Sequence, residues 1–193
     1  MKRMLLFLVV ALALQAQEKN ESARFRVSEA VRRGDTATVQ KVMAELTASL
    51  KPLPGAAAAP HWNTSYEEIR ACGFYPQETR LACVIDIKQD CCFGGGISGF
   101  GSFEYVSFFI DWANDGFAST DYVGSGIVNV PDGSGKTSFA VYRDFHPPGS
   151  LRSTPVTTYN ALAKLSWTFP SITPGAPVPW GNELTFRVRF TVK

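Results

Sequence analysis

Four cysteines, Cys72, Cys83, Cys91 and Cys92, are crowded into one short stretch of a 193-residue chain. Thiols spaced in this way either bridge one another or grip a soft metal. Zinc needs nitrogen or sulfur ligands at recognisable spacing, and the only histidines, His61 and His146, are remote in sequence from the cysteines and from each other, so disulfides are the expectation. Four cysteines allow three pairings. The one that joins the adjacent Cys91 and Cys92 is sterically the least favoured, which leaves Cys72 and Cys83 each bonded to one member of that pair.

A second cluster that could do chemistry is Asp111-Trp112-Ala113-Asn114-Asp115-Gly116, followed by Asp121. Oxygen-bearing side chains around a glycine turn are how a loop wraps calcium, so Asp111, Asn114, Asp115 and Asp121 form the metal candidate and calcium the only cofactor expected. The competing reading is a plain Asn-Asp-Gly turn, because Ala113 stands where a calcium loop carries oxygen and no glutamate closes the ring.

Residues for catalysis are scarce. A nucleophile-histidine-carboxylate set would have to use His61 or His146, the latter within Asp144-Phe145-His146-Pro147-Pro148, and no Gly-x-Ser-x-Gly elbow supports either. Paired carboxylates for glycoside hydrolysis are conceivable among Asp86, Asp90, Glu104 and Asp111, but spacing alone does not give their separation. Gly94-Gly95-Gly96-Ile97-Ser98-Gly99 matches a dinucleotide fingerprint on paper, yet a strand pattern follows where a helix must open. Gly135-Lys136-Thr137 lacks the glycine that a phosphate loop requires at Val130. Aromatic residues offer binding instead. Trp62, Trp112 and Trp180 lie at a linker end, a strand end and after a proline-rich loop, where rings can stack on sugars or fill a partner's pocket. Trp167 continues the alternation Tyr159, Ala161, Ala163, Leu165 and is expected in the core.

The elements that must position these residues follow from periodicity. Met1-Lys2-Arg3, the apolar run Met4–Leu14 and the small Ala16 read as a secretory signal peptide over 1–16. Eleven apolar residues rise about 16 Å as a helix, about half the hydrocarbon thickness, so no membrane span is expected once the signal is removed. A secreted or periplasmic chain meets oxidising conditions, in keeping with the cysteines. Lys and Arg number 19 against 17 acidic residues; without Lys2 and Arg3 the balance is zero, which argues against nucleic acid as partner.

Over 17–51, Phe25, Val27, Ala30 and Val31, and then Val39, Val42, Met43, Leu46 and Leu50, recur at helical spacing on either side of Gly34-Asp35, with Asp35 as N-cap. This is a short helical hairpin. A Pro/Ala linker spans 52–62. From 63 to 193 the period falls to two, with strands expected at Tyr66–Phe74, Leu81–Lys88, Phe103–Trp112, Tyr122–Val130, Thr137–Phe145, Tyr159–Phe169 and Leu184–Val192. Asp132-Gly133-Ser134-Gly135 is expected to join the fourth and fifth as a hairpin. Seven short strands without intervening helices predict a mainly β fold, an antiparallel immunoglobulin-like β-sandwich.

Several pieces of this region carry a likeness: Asn63-Thr64-Ser65-Tyr66-Glu67-Glu68 leading to Cys72, the Gly94-Gly95-Gly96 loop, Glu104 to Trp112, Leu165-Ser166-Trp167 and Trp180-Gly181-Asn182. With them the region resembles a family of uncharacterised secreted bacterial β-sandwich proteins. Phe109 to Phe117 is similar to an "IDWNxDGxF" loop of bacterial surface modules, with Ala113 and Ala118 as departures. The resemblance covers Asn63 to Val192 and implies fold and export without any catalytic residue. The expected function is therefore an exported, non-catalytic binding module for a protein or glycan. The alternatives are a secreted hydrolase using His146 with a nearby carboxylate, and a surface subunit that self-assembles through an edge strand.

Overall fold

The computed structural model describes residues 22–49, 63–93, 101–149, 156–178 and 180–191. The signal peptide, the linker, His61, Trp62 and the Gly94–Gly96 loop lie outside these residues. The chain divides into two compact units, Met1–Lys51 and Pro52–Lys193.

In the first unit, α1 runs through 22–33 and α2 through Thr36–Ser49. Gly34 ends α1 with φ 75°, a left-handed conformation that a Cβ disfavours. The Gly34 and Asp35 amides donate to the Val31 and Ala30 carbonyls, closing a Schellman turn. Asp35 then caps α2, its Oδ1 accepting the Thr38 amide at 2.9 Å and its Oδ2 the Thr38 hydroxyl at 2.6 Å. Those two bonds hold the Asp35 carboxyl below its ordinary value. Val27, Ala30, Val31, Val39 and Val42 are buried, whereas Phe25 is 69% exposed.

The second unit is the expected sandwich. Its strands are β1 (Glu67–Tyr75), β2 (Arg80–Ile87), β3 (Ser102–Ile110), β4 (Tyr122–Val130), β5 (Ser138–Asp144), β6 (Val156–Trp167) and β7 (Glu183–Thr191). One antiparallel sheet has the order β1-β2-β5 and the other β4-β3-β6-β7. This is an immunoglobulin-like arrangement with β4 carried beside β3. Alternate residues fill the space between the sheets: Leu81, Cys83 and Ile85 from one side, and Val106, Phe108, Ile110, Ala161, Ala163 and Leu165 from the other. At one end of this core Phe74, Trp112, Phe145, Tyr159 and Phe190 pack ring against ring, with centroids 4.7–6.3 Å apart.

The outer face of the four-stranded sheet is buried as well. Phe109, Tyr122 and Leu162 form a second cluster, with Phe117 and Ile172 from the flanking loops packed on it. Lys164, on the same face, is wholly buried. Its Nζ donates to the carbonyls of Thr173, Pro174 and Ala176 at 3.0, 2.5 and 2.6 Å. The ammonium is thus spent on fastening the β6–β7 connection to the sheet, and burial lowers its pKa.

Two expectations are corrected here. Cys72 bonds Cys83, and Cys91 bonds Cys92. Register decides this: Cys72 and Cys83 are directly opposed in the β1–β2 hairpin, with Cα atoms 4.0 Å apart, so each is the other's nearest thiol. Asp132-Gly133-Ser134-Gly135 does not close a hairpin, because β4 and β5 belong to different sheets. The turn is fixed to the segment after β2 instead. Asp132 Oδ1 accepts the Phe93 amide at 2.9 Å, and the Gly133 amide donates to the Asp90 carbonyl at 2.7 Å.

Candidate functional site

The alternation that fills the core with aliphatic side chains also carries two glutamates inward. Glu104 stands two residues before Val106 on β3, and Glu67 two residues before Ile69 on β1, so both point between the sheets at the end opposite the ring cluster. They are 0% and 2% exposed. Glu104 Oε1 accepts the Ser102 hydroxyl at 2.7 Å, while its buried Oε2 has no hydrogen-bond partner among the described residues. Burial is the main cause that raises both carboxyls. It pushes Glu67 up to about 7 against the pull of Lys88. It pushes Glu104 well above the carboxylate range, with the charge of Glu67 adding to the rise and the Ser102 bond opposing it.

The two acids line a pocket of about 120 Å³ together with Tyr66, Cys92, Phe93, Trp167 and Trp180. Tyr66 sets its ring edge-on to Phe93 and to Trp180, with centroids 5.7 and 5.5 Å away. Trp167, expected inside, does keep the inward parity of β6, but it stands opposite Glu104 at the strand's end, where the core stops, and is 38% exposed. It forms part of the mouth. The nearby ammonium of Lys88 meets Glu68 Oε2 at 2.5 Å.

The segment Trp180-Gly181-Asn182 builds one wall. Trp180 bridges Asn63, whose carbonyl accepts the Gly181 amide at 2.9 Å. Gly181 has φ 101°, and a Cβ there would stand 2.5 Å from the Leu165 carbonyl oxygen, so only glycine fits. Asn182 then reaches the β1 irregularity between Ile69 and Ala71. Its side chain accepts the Ile69 amide at 2.7 Å and donates to the Ile69 carbonyl at 3.2 Å. The bulge's orphaned backbone pair is thereby satisfied, and the strand that carries Glu67 is held in place.

The other sequence candidates are placed elsewhere. Asp111 Oδ1 and Oδ2 accept the amides of Asp115 and Gly116, each at 3.1 Å, and Asp121 Oδ2 accepts the Ala118 amide at 2.8 Å. Asn114 takes the left-handed φ of 56°. Asp111 and Asp121 thus cap their own loop, and among the described residues no group of three or more His, Cys, Asp or Glu gathers as metal ligands. Trp112 packs into the far ring cluster, 5.1 Å from Tyr159. His146 is exposed, and its neighbour Asp144 is paired with Arg80 at 2.6 Å. Of the tryptophans first considered, Trp180 reaches the pocket and Trp112 does not, while Trp62 lies outside the described residues. Glu67, Tyr66, Phe93 and Trp167 were not assigned to it from sequence; the missed signal was a glutamate at an inward position at the start of each of two strands.

No family model matches the chain, and no curated protein matches it. Among solved structures, the chain is similar to a β-glucosidase from Kluyveromyces marxianus in complex with glucose, with a TM-score of 0.32 at 11% identity. The selenomethionine-labelled form of that β-glucosidase gives 0.31 at 11%. Each match covers 66% of this chain and only 15% or 14% of the other. Among the described residues no helix is long and apolar enough to cross a membrane.

Proposed function

We propose that this protein is an exported, non-catalytic binding module and that the pocket at the β1/β3 end of the sandwich is its recognition site. The observation that carries this reading is Glu104, which lines a ring-walled pocket and whose fully buried Oε2 has no hydrogen-bond partner among the described residues. A sandwich under no functional demand would fill an inward position on β3 with an aliphatic residue, because an unpaired buried carboxyl is destabilising. Retaining an acid there is understandable if a ligand supplies the missing partner. The rings provide apolar contact and the acids orientation, which is the usual composition of a small-ligand site. Its volume suits one small group presented by a protein or glycan. Export is supported by the basic-apolar leader and by four cysteines that are all in disulfides.

The test is to follow the indole signals of the mature protein by fluorescence and by NMR while titrating panels of glycans, peptides and small polar molecules. Binding that shifts the Trp167 and Trp180 signals and is weakened in Trp167→Ala, which removes the ring exposed at the mouth, is expected. Signals that no panel member moves would refute the reading. Turnover of any panel member would shift it toward the hydrolase alternative, with the raised carboxyl of Glu67 as the acid rather than His146.

A further inference from the structure

The pocket's chemistry narrows its ligand, on the premise that it is a recognition site. We infer that it binds an organic ammonium group, presented either as a methylated amine or as a primary amine of the lysine type. Two acids face the cavity, Glu67 from one sheet and Glu104 from the other. Among the described residues no cation is paired with either of them: the positive charge felt by Glu67 is that of Lys88, whose ammonium is held by Glu68. Tyr66, Phe93, Trp167 and Trp180 supply the aromatic surface, and the negative faces of such rings, with carboxylates beside them, attract an organic cation.

A hard divalent metal is a poorer fit, because it needs about six or more oxygens and the lining offers the carboxylates of Glu67 and Glu104 with one phenol. A sugar chain is also a poorer fit, because sites that enclose larger ligands run to about 300 Å³ or more and this one is about 120 Å³. An ammonium group needs no more room than one head group. Its positive charge would lie beside the two acids that line the cavity, Glu67 and Glu104.

Binding a cation favours the ionised acids, so protons leave as the ligand enters. The groups that set this linkage are Glu67, Glu104 across the core, and Lys88 with its partner Glu68. Affinity therefore rises with pH while Glu67 titrates, by up to about tenfold per pH unit for each proton released.

The experiment uses the full mature chain at about pH 8, with calorimetry and tryptophan fluorescence as readouts. The probes are choline chloride, n-butylammonium chloride and 3,3-dimethylbutan-1-ol, the neutral carbon isostere of choline. At least one cation is expected to bind, with the alcohol at least about tenfold weaker and with proton release on binding. The tighter cation tells a methylated amine from a primary one. Glu104→Gln is expected to lose at least about tenfold in affinity while melting no lower than the wild type. The ammonium inference is overturned if neither cation binds, if the alcohol binds as well as the tighter cation, or if Glu104→Gln binds as tightly as the parent. In those cases a glycan or peptide that still shifts the Trp167 and Trp180 signals would leave the binding module standing, whereas indoles that respond to nothing would remove both.

Discussion

The buried acids make the stability of the sandwich fall as pH rises, in a window set by their own shifts. Glu67 has an ordinary value of 4.5 and is pushed up to about 7. Between those values the folded protein holds a proton that the unfolded chain has released, so the folded state is stabilised below the window and loses that advantage through it. For Glu67 alone the difference is about 3 kcal/mol, or about 6–12 °C in melting temperature for a chain of this size. Glu104, raised further, extends the loss to higher pH. Asp35 and Asp144 are shifted down, so they act below this window and leave it clear. The assay is thermal unfolding of the wild type, Glu67→Gln, Glu104→Gln and the double variant at closely spaced pH from about 4.5 to 9. The wild type is expected to decline across the range, each single variant less, and the double variant to be nearly flat and the most stable at the alkaline end. Curves that run parallel in all four proteins would show that the acids ionise freely in the fold, and the account of the pocket would be wrong.

Three further outcomes follow from named contacts. Asn182→Ala strips the Ile69 amide and carbonyl of their partner and is expected to cost about 2 kcal/mol in denaturant unfolding. Asn182→Asp, which keeps the acceptor, should cost less. Lys164→Met leaves the carbonyls of Thr173, Pro174 and Ala176 without a donor; a loss of about 3 kcal/mol with faster proteolysis in the β6–β7 connection is expected, and an unchanged cleavage rate would refute the role given to this lysine. A tryptic digest without reductant should yield Ala71–Arg80 linked to Leu81–Lys88, and Gln89–Lys136 alone with an internal disulfide. Any link from 71–88 into 89–136 would overturn the pairing.

Strands with one wet face, such as β2 and β7, were legible by alternation, whereas β3, buried on both faces, was legible by its run of aromatic and β-branched residues. The run Leu184, Phe186, Val188, Phe190 is the plainest case of alternation. The helix pair was legible because Asp35 follows Gly34, a cap directly after a stop. Pairing between strands was not, because spacing carries no information on which sheet a strand joins; hence the Asp132–Gly135 turn was read as a hairpin when it crosses between layers. The Cys72–Cys83 bond had a usable signal that was passed over. The midpoint between these cysteines falls within the Pro76–Thr79 turn, so a symmetric hairpin sets them face to face. The pocket was hidden for a different reason. Glu67 and Glu104 occupy positions where the pattern calls for an apolar side chain, and a polar residue at a strand's first turns is read more readily as the place where burial ends than as a functional group carried inside. Trp167 misled by the converse: its parity is inward, but the core runs out before it.

Glu67 and Glu104 belong to different layers of the sandwich, so their mutual repulsion acts along the very direction that holds the layers together. At the other end, Trp112, Phe145 and Phe190, none of them ionisable, pack together as a rivet. Alkali therefore works as a wedge driven into one end only, and the layers should gape from the Tyr66–Trp180 edge like a book whose spine is the distant aromatic cluster.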